Sequence, residues 1–336
     1  MRVRARVTTA AAGLALAMTV SLSGCITVHG ERAVLPAVSP EEAEEVLADF
    51  TRSTNEANAA YDAELNAQIE TGPLGAINRA GLTARGEVNP GGNESYEPLE
   101  FTDTRFRIPQ QAGWPKFFVA DTLSSRHEEN RWLLVFTRSG PQEDWLASYL
   151  AVLPPGDLPP LAEDEEGHAV AVGPDGSRAG GAADGPAGEG QDGPELAPRD
   201  LPGAYTGHLA SGDGPFAEGV HTSGILRARE EASDEPAFVM QYQDLPAERP
   251  AYAPVALMTA DGGMLVLFSS HHHEKQTMAE GETPVVDPLV EVLMEGTATR
   301  SVTLVRDAMQ AAHVPPGTGD VEILGRITGI VSAKGE

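Results

Sequence analysis

Hydrophobic and polar positions along this chain change period several times, and each change marks a new element. Ala43, Val46, Leu47, Phe50, Ala57 and Tyr61 recur at helical spacing behind Ser39-Pro40-Glu41-Glu42, so one apolar face predicts a helix of about six turns. Ser39 is placed as its N-cap, Pro40 at the first helical position, and Glu42 where it closes a capping box. Gly72-Pro73 is read as a stop to any continuation, followed by a shorter helical piece over Leu74 to Ala80 that Gly81 ends. From Leu99 the pattern is strand-like. Leu99 to Ile108, Pro115 to Thr122, Arg131 to Arg138 and Trp145 to Leu153 are short runs rich in Phe, Val, Trp, Tyr and Leu, with turn formers between them. Trp114, Trp132 and Trp145 lie in or beside these runs, as large core residues or strand-end anchors; the alternative use is a Trp-lined ligand cleft.

The second half repeats the order of helix first and meander afterwards. Helical pieces are predicted around Pro202 to Leu209 and Phe216 to Arg229. Strands are predicted at Ala237 to Tyr242, Val255 to Thr259, Met264 to His272, Ser301 to Val305 and Val321 to Val331. Asp261-Gly262-Gly263 between two apolar runs is a hairpin signal, because glycine supplies the positive φ of a tight turn. Between the halves, Asp164 to Pro198 is dominated by Gly, Ala, Asp, Glu and Pro and has no aromatic residue, too little apolar surface to offset the entropy of ordering. The expected fold class is therefore α+β. Two subdomains, 39–160 and 200–334, are each a helix followed by an antiparallel meander. An acidic, disordered linker (161–199) joins them, and a leader (1–24) and a tether (25–38) precede them.

The first 24 residues are removed from the fold by their own pattern. Arg2, Arg4 and Arg6 form a basic start, Val7 to Val20 is uncharged and apolar, and Leu22-Ser23-Gly24-Cys25 follows. Together these make a secretory signal peptide. The apolar stretch is shorter than the roughly 20 residues a transmembrane helix needs. Leu-Ser-Gly-Cys resembles the lipobox of bacterial lipoproteins. That resemblance implies cleavage between Gly24 and Cys25 and a diacylglycerol on the Cys25 thiol. Cys25 is the only cysteine of the chain, so no intramolecular disulfide can form, and lipidation accounts for the odd thiol. The expected location is the extracytoplasmic face of the cell membrane, held through lipid on Cys25.

Charge narrows the partners further. Fifty acidic against 23 basic residues give a formal charge of −27, and loss of the three leader arginines makes the remainder more negative still. Nucleic acid and anionic headgroups are repelled by such a chain as a whole, so no nucleic-acid partner is expected. The identity of a protein or small-molecule partner is left open.

Candidate chemistry is sparse. His271-His272-His273 is the best of it: on a strand His271 and His273 share a face and are weak metal candidates, although zinc needs three or four ligands. The plainer account is a polar strand end. His127-Glu128-Glu129-Asn130 lacks the second histidine of a zincin motif, and no G-x-S-x-G nucleophile elbow occurs. Ser211 and Ser223 read as cap or turn residues. Asp175, Asp184 and Asp192 do not follow an EF-hand spacing. No cofactor is expected and no catalytic residue is assigned.

Gly113-Trp114-Pro115-Lys116-Phe117-Phe118-Val119-Ala120, Arg131 to Arg138 and Thr259-Ala260-Asp261-Gly262-Gly263 resemble segments of an uncharacterised family of predicted lipoproteins from high-GC Gram-positive bacteria. The resemblance covers most of the mature chain and implies a location without an activity. A helix leading into a curved antiparallel sheet is also similar to the cone-shaped nuclear-transport-factor-like and cystatin-like folds. The leading expectation is a non-catalytic binding or envelope-associated module. The alternative is a lipid-anchored hydrolase with its site in the concave face of one sheet.

Overall fold

The computed structural model describes residues 33–178, 194–233 and 235–336. The leader, Gly24, Cys25 and the tether up to residue 32 lie outside the described residues, as do residues 179–193 of the expected linker.

Strand β1 (Val34–Pro36) opens the chain and leads into helix α1 (Pro40–Ala60). The helix starts as its residues dictate: Ser39 Oγ accepts from the Glu42 amide at 3.1 Å, and Pro40 occupies the first turn. The reciprocal half of the capping box is replaced. Glu42 Oε1 accepts instead from Trp145 Nε1 at 3.1 Å and an Arg138 guanidinium nitrogen at 3.3 Å, because tertiary donors reach the carboxylate. Tyr61 ends α1 in the left-handed region at φ 54°. A short α2 (Ala63–Asn66) and then α3 (Gly72–Val88) follow.

The reading of Gly72-Pro73 as a stop is corrected, since the pair begins α3. Proline is tolerated in a first helical turn, where its missing N–H has no intrahelical partner. Gly72 adopts φ +58°, and a side chain there would collide with the Ala251 carbonyl. Gly81 does not end the helix either, because α3 gains its stability by packing on β-strands from both halves.

Strands β2 (Phe101–Arg107), β3 (Gln110–Ala112), β4 (Lys116–Ser124), β5 (His127–Arg138) and β6 (Leu146–Leu153) come next. β2-β4-β5-β6 form a four-stranded antiparallel meander, and β1 pairs with β3. Residues 34–36, read from sequence as tether, thus belong to a small sheet.

Strand β7 (Ala171–Val172), helices α4 (Leu201–Ser211) and α5 (Ser223–Ser233), and strands β8 (Phe238–Pro246), β9 (Val255–Met258) and β10 (Met264–Met278) continue the chain. It ends with α6 (Pro288–Val292), β11 (Met294–Gly296), β12 (Ser301–Val314) and β13 (Glu322–Gly335). These seven strands make one sheet of order β11-β13-β12-β10-β9-β7, with β8 also paired to β10. The long β10 serves β9 with its first residues and β8 with its last ones. At the β9–β10 hairpin Gly262 sits at φ +90°, and Asp261 Oδ1 accepts from the Gly263 amide at 3.0 Å.

Two expectations differ here. Phe216 to Thr222 is not helical: Val321 donates to the Pro215 carbonyl and accepts from Ala217, Gly219 to Thr222 then form a turn in which Thr222 N donates to Gly219 O, and the helix starts only at Ser223. The first part of the 161–199 segment is built into the sheet. β7 pairs with β9, and Ala169, Ala171 and Val172 are buried. Small side chains suffice there because backbone pairing on a sheet edge does not depend on large apolar groups.

Two apolar clusters flank the seven-stranded sheet. The larger joins α1, α3, the meander and one face of the sheet, and includes Phe50, Phe118, Phe136, Leu265, Leu267 and Met309. The smaller lies under α4 and includes Tyr205, Phe216, Met264, Val266 and Phe268. Alternate residues of β10 therefore serve opposite layers, as strand geometry requires. The structure is α+β, with a core shared between the two halves.

Candidate functional site

A cleft of about 210 Å³ enters the larger cluster between α1, α3 and the meander. Its walls are mainly apolar, with Phe50 from α1, Leu74 and Ile77 from α3, Trp132 and Leu134 from β5, Leu150 from β6, Met309 from β12 and Ile327 from β13. Thr54, Asn58, Glu70, Asn78, Tyr96 and Arg126 add polar groups to this apolar lining, the mixture expected of a small-molecule site.

Glu70, in the turn before α3, lines the inner part and is 2% exposed. The turn is fixed because Thr71 N donates to Ala147 O and Ala147 N to Ile69 O, both at 2.9 Å. Burial pushes the Glu70 carboxyl up to about 7, partly offset by the nearby Asn66 and Asn78 amides and by Arg79. Asn78 Nδ2 donates to both carboxylate oxygens, at 3.0 and 2.9 Å. Asn66 lies close without reaching hydrogen-bond geometry, and both its amide atoms are buried and unpaired. Trp132 Nε1 is a second buried donor without a partner. Near neutral pH this cleft offers a carboxyl able to donate or accept, beside an indole N–H still unpaired.

Asn58, Tyr96 and Arg126 also wall a second, more polar space of about 260 Å³, so the two spaces adjoin. Arg85, Asn93, Ser95 and Glu97 line the outer one. The segment carrying Tyr96 is fastened to α1 by Asn55, which donates to Leu99 O at 2.9 Å and accepts from Leu99 N and Tyr96 Oη at 2.7 Å. Arg126 stacks over Tyr96 at 5.1 Å and Arg85 over Tyr61 at 5.7 Å. The mouth therefore holds two guanidinium groups, and the floor an acid.

The structure separates the histidine run into a half-buried pair and a buried one. His271 Nδ1 lies 2.7 Å from Asp307 Oδ1, and Tyr252 Oη donates to the other oxygen at 2.8 Å. His272 points the opposite way. It is 1% exposed and its Nδ1 lies 2.5 Å from Asp244 Oδ1, while Nε2 is 2.8 Å from Ser270 Oγ. Gln310 Nε2 donates to Ser270 Oγ at 2.7 Å, and Arg229 donates twice to Asp244 at 2.6 and 2.7 Å. Burial holds the His272 imidazole below its ordinary range against the opposing pull of Asp244. Burial would raise Asp244, but Arg229 and His272 more than offset it and hold the carboxyl well below the usual range.

Ser270, His272 and Asp244 thus form a hydrogen-bonded chain of the kind that activates a serine hydroxyl. Yet Ser270 is fully buried and lines neither cavity. Sequence reasoning missed the aspartates because they come from other strands. Asp244 and Asp307 stand directly across from His272 and His271 in the registers of β8 and β12.

His273 shares the face of His271. Among the described residues no group of three or more His, Cys, Asp or Glu is spaced to hold a metal ion, and the Nδ1 of His271 is already engaged. The segment His127 to Asn130 opens β5 and is not a loop. Among the described residues no helix is long and apolar enough to cross a membrane.

An α+β body behind a lipobox defines a class, the exported lipoproteins with a folded extracytoplasmic part. Residues 34–335 match the domain of unknown function DUF8094, and the chain belongs to that family. An uncharacterized lipoprotein of Streptomyces coelicolor is 43% identical over 323 residues, covering 96% of this chain and 93% of the other. An uncharacterized lipoprotein of Streptomyces avermitilis is 41% identical, covering 97% and 95%. A second Streptomyces coelicolor lipoprotein is 27% identical over 73% of this chain and 67% of its own. These relatives bear out the resemblance to lipoproteins of high-GC Gram-positive bacteria. No solved structure matches the chain.

Proposed function

We propose that this extracytoplasmic lipoprotein is a binding module, anchored through acyl chains on Cys25 after cleavage behind Gly24, that captures a small amphiphile in the Glu70 cleft. The cleft carries the reading: an apolar chamber with an unpaired indole N–H and a carboxyl near 7 at its floor, and Arg85 and Arg126 at its mouth. A ligand with an apolar body and an anionic head matches that polarity, its head meeting the guanidinium groups. Two acyl chains, at about 0.8 kcal/mol per buried methylene, suffice for lasting attachment.

Octanoate is a suitable probe. Calorimetry on the purified protein is expected to show binding that weakens as pH rises through about 7, because ionised Glu70 repels an anion and disfavours the apolar chain. Arg126→Ala should weaken binding, and Glu70→Gln should flatten its pH dependence. Absence of heat together with no competition by longer carboxylates would remove the cleft from consideration. Radiolabelled palmitate should enter the wild type and not Cys25→Ser.

A hydrolase is the second reading, and the Ser270-His272-Asp244 chain is the observation that favours it. The burial of Ser270 ranks it below binding.

A further inference from the structure

Leu35 and Trp114 are exposed large apolar residues, at 56% and 40%, and they occupy one spot. β1 carries Leu35, and the turn after β3 carries Trp114. Lys116 Nζ lies 3.4 Å from the carbonyl oxygens of Leu35 and Pro36 and 5.6 Å from the Trp114 ring centre. Arg138, across from Lys116 in the β4–β5 register, lies 5.8 Å from the same ring. The chain has three lysines. Lys275 and Lys334 both pair with Glu336, whereas Lys116 enters no ion pair among the described residues.

This spot sits where the chain leaves toward its anchor. Val34 follows Cys25 by nine positions, and at most about 3.5 Å per residue the connection spans roughly 30 Å or less. Tryptophan partitions to the headgroup level of bilayers, and a lysine close to an anionic leaflet is attracted to its surface. The acidic body opposes such contact. Glu41 and Glu42 lie in the first turn of α1, and Glu42 is held by Arg138 and Trp145. Affinity is not demanded of the spot, however, because the anchor makes the encounter intramolecular at high effective concentration.

We infer that Leu35, Trp114 and Lys116 form a membrane-contact surface that orients the anchored body, with Trp114 at the headgroup level and Lys116 on the phosphate of an anionic phospholipid. The inference rests on the anchor assigned to Cys25 and not on the cleft.

The test uses the lipidated protein reconstituted into vesicles of phosphatidylglycerol and phosphatidylcholine, the latter brominated near the headgroup end of its acyl chains. Flotation reports the anchor, and quenching of tryptophan emission reports the contact, with Trp132 and Trp145 as internal references. Wild type is expected to lose at least two-fold more emission than Trp114→Phe, and Lys116→Glu should at least halve that excess. Floating protein with equal quenching in wild type and Trp114→Phe overturns the contact alone. Protein that does not float overturns the anchor and the contact with it.

Discussion

Replacing Glu70 by glutamine removes one ionisable group from the floor of the cleft at nearly unchanged volume, and the consequence for stability can be worked out from its surroundings. Burial moves the folded-state value from 4.5 to about 7. At 1.36 kcal/mol per unit, that difference corresponds to about 3 kcal/mol. The sign follows from which state holds the proton more tightly. The folded chain does, so stability is greatest below the unfolded value and falls as pH rises from about 4.5 through about 7. Above that window the wild type carries the full cost of an ionised, dehydrated carboxylate, and Glu70→Gln carries none of it. Asn78 can still meet either side-chain oxygen or nitrogen by turning its amide, so the substitution should leave the turn before α3 in place. Urea unfolding of both proteins at pH 5 and pH 8 is the assay. The stability difference should shift by about 2.5 kcal/mol in favour of glutamine between the two pH values, since at pH 5 the unfolded chain has already lost most of its proton. Parallel pH profiles would refute the assignment of Glu70 as a buried, proton-holding group, and with it the expected pH dependence of octanoate binding.

Three further outcomes follow from the same geometry. Asp244→Ala leaves Arg229 and His272 buried without their partner and should cost about 3–5 kcal/mol in urea unfolding; a loss under about 1 kcal/mol would mean that the pair is solvated. A fluorophosphonate probe should leave Ser270 unlabelled in the folded protein, and adduct formation at that residue by mass spectrometry would promote the hydrolase reading. At Gly329 a side chain would collide with Ile77 of α3, so Gly329→Val should destabilise by about 1–3 kcal/mol. Restored stability in the double variant with Ile77→Ala would confirm the collision as the cause, and a neutral single variant would contradict it.

Local chemistry was the part of this fold that could be read from residues alone. Ser39-Pro40 starts α1 because a hydroxyl and a fixed φ act within one turn, and Asp261-Gly262-Gly263 makes its hairpin for an equally local reason. The four strands from Leu99 to Leu153 declare themselves by composition. What escaped were features decided across distance. Gly72-Pro73 has the composition of a breaker, and only packing against the sheets turns it into a helix start. Glu70 carries no motif. Its importance comes from the α3 turn and the meander closing around it. His271 to His273 were visible as a run, but their partners at 244 and 307 become neighbours only when β8 and β12 flank β10. An isolated acid opposite a histidine in the correct registers is the signal that would have found them, and no single segment contains it.

Sliding β10 by one position along its neighbours would exchange its two faces. In one direction it would set His272 across from Asp307 and His273 across from Asp244, so an imidazole would still meet each aspartate. In the other direction it would set His271 across from Asp244 and Ser270 across from Asp307, and in either case the Arg229 and Tyr252 donors come from outside β10. The short Asp261-Gly262-Gly263 hairpin therefore sets the seating of β10 by tying it to β9 at fixed length, and the histidine run is the passenger of that choice.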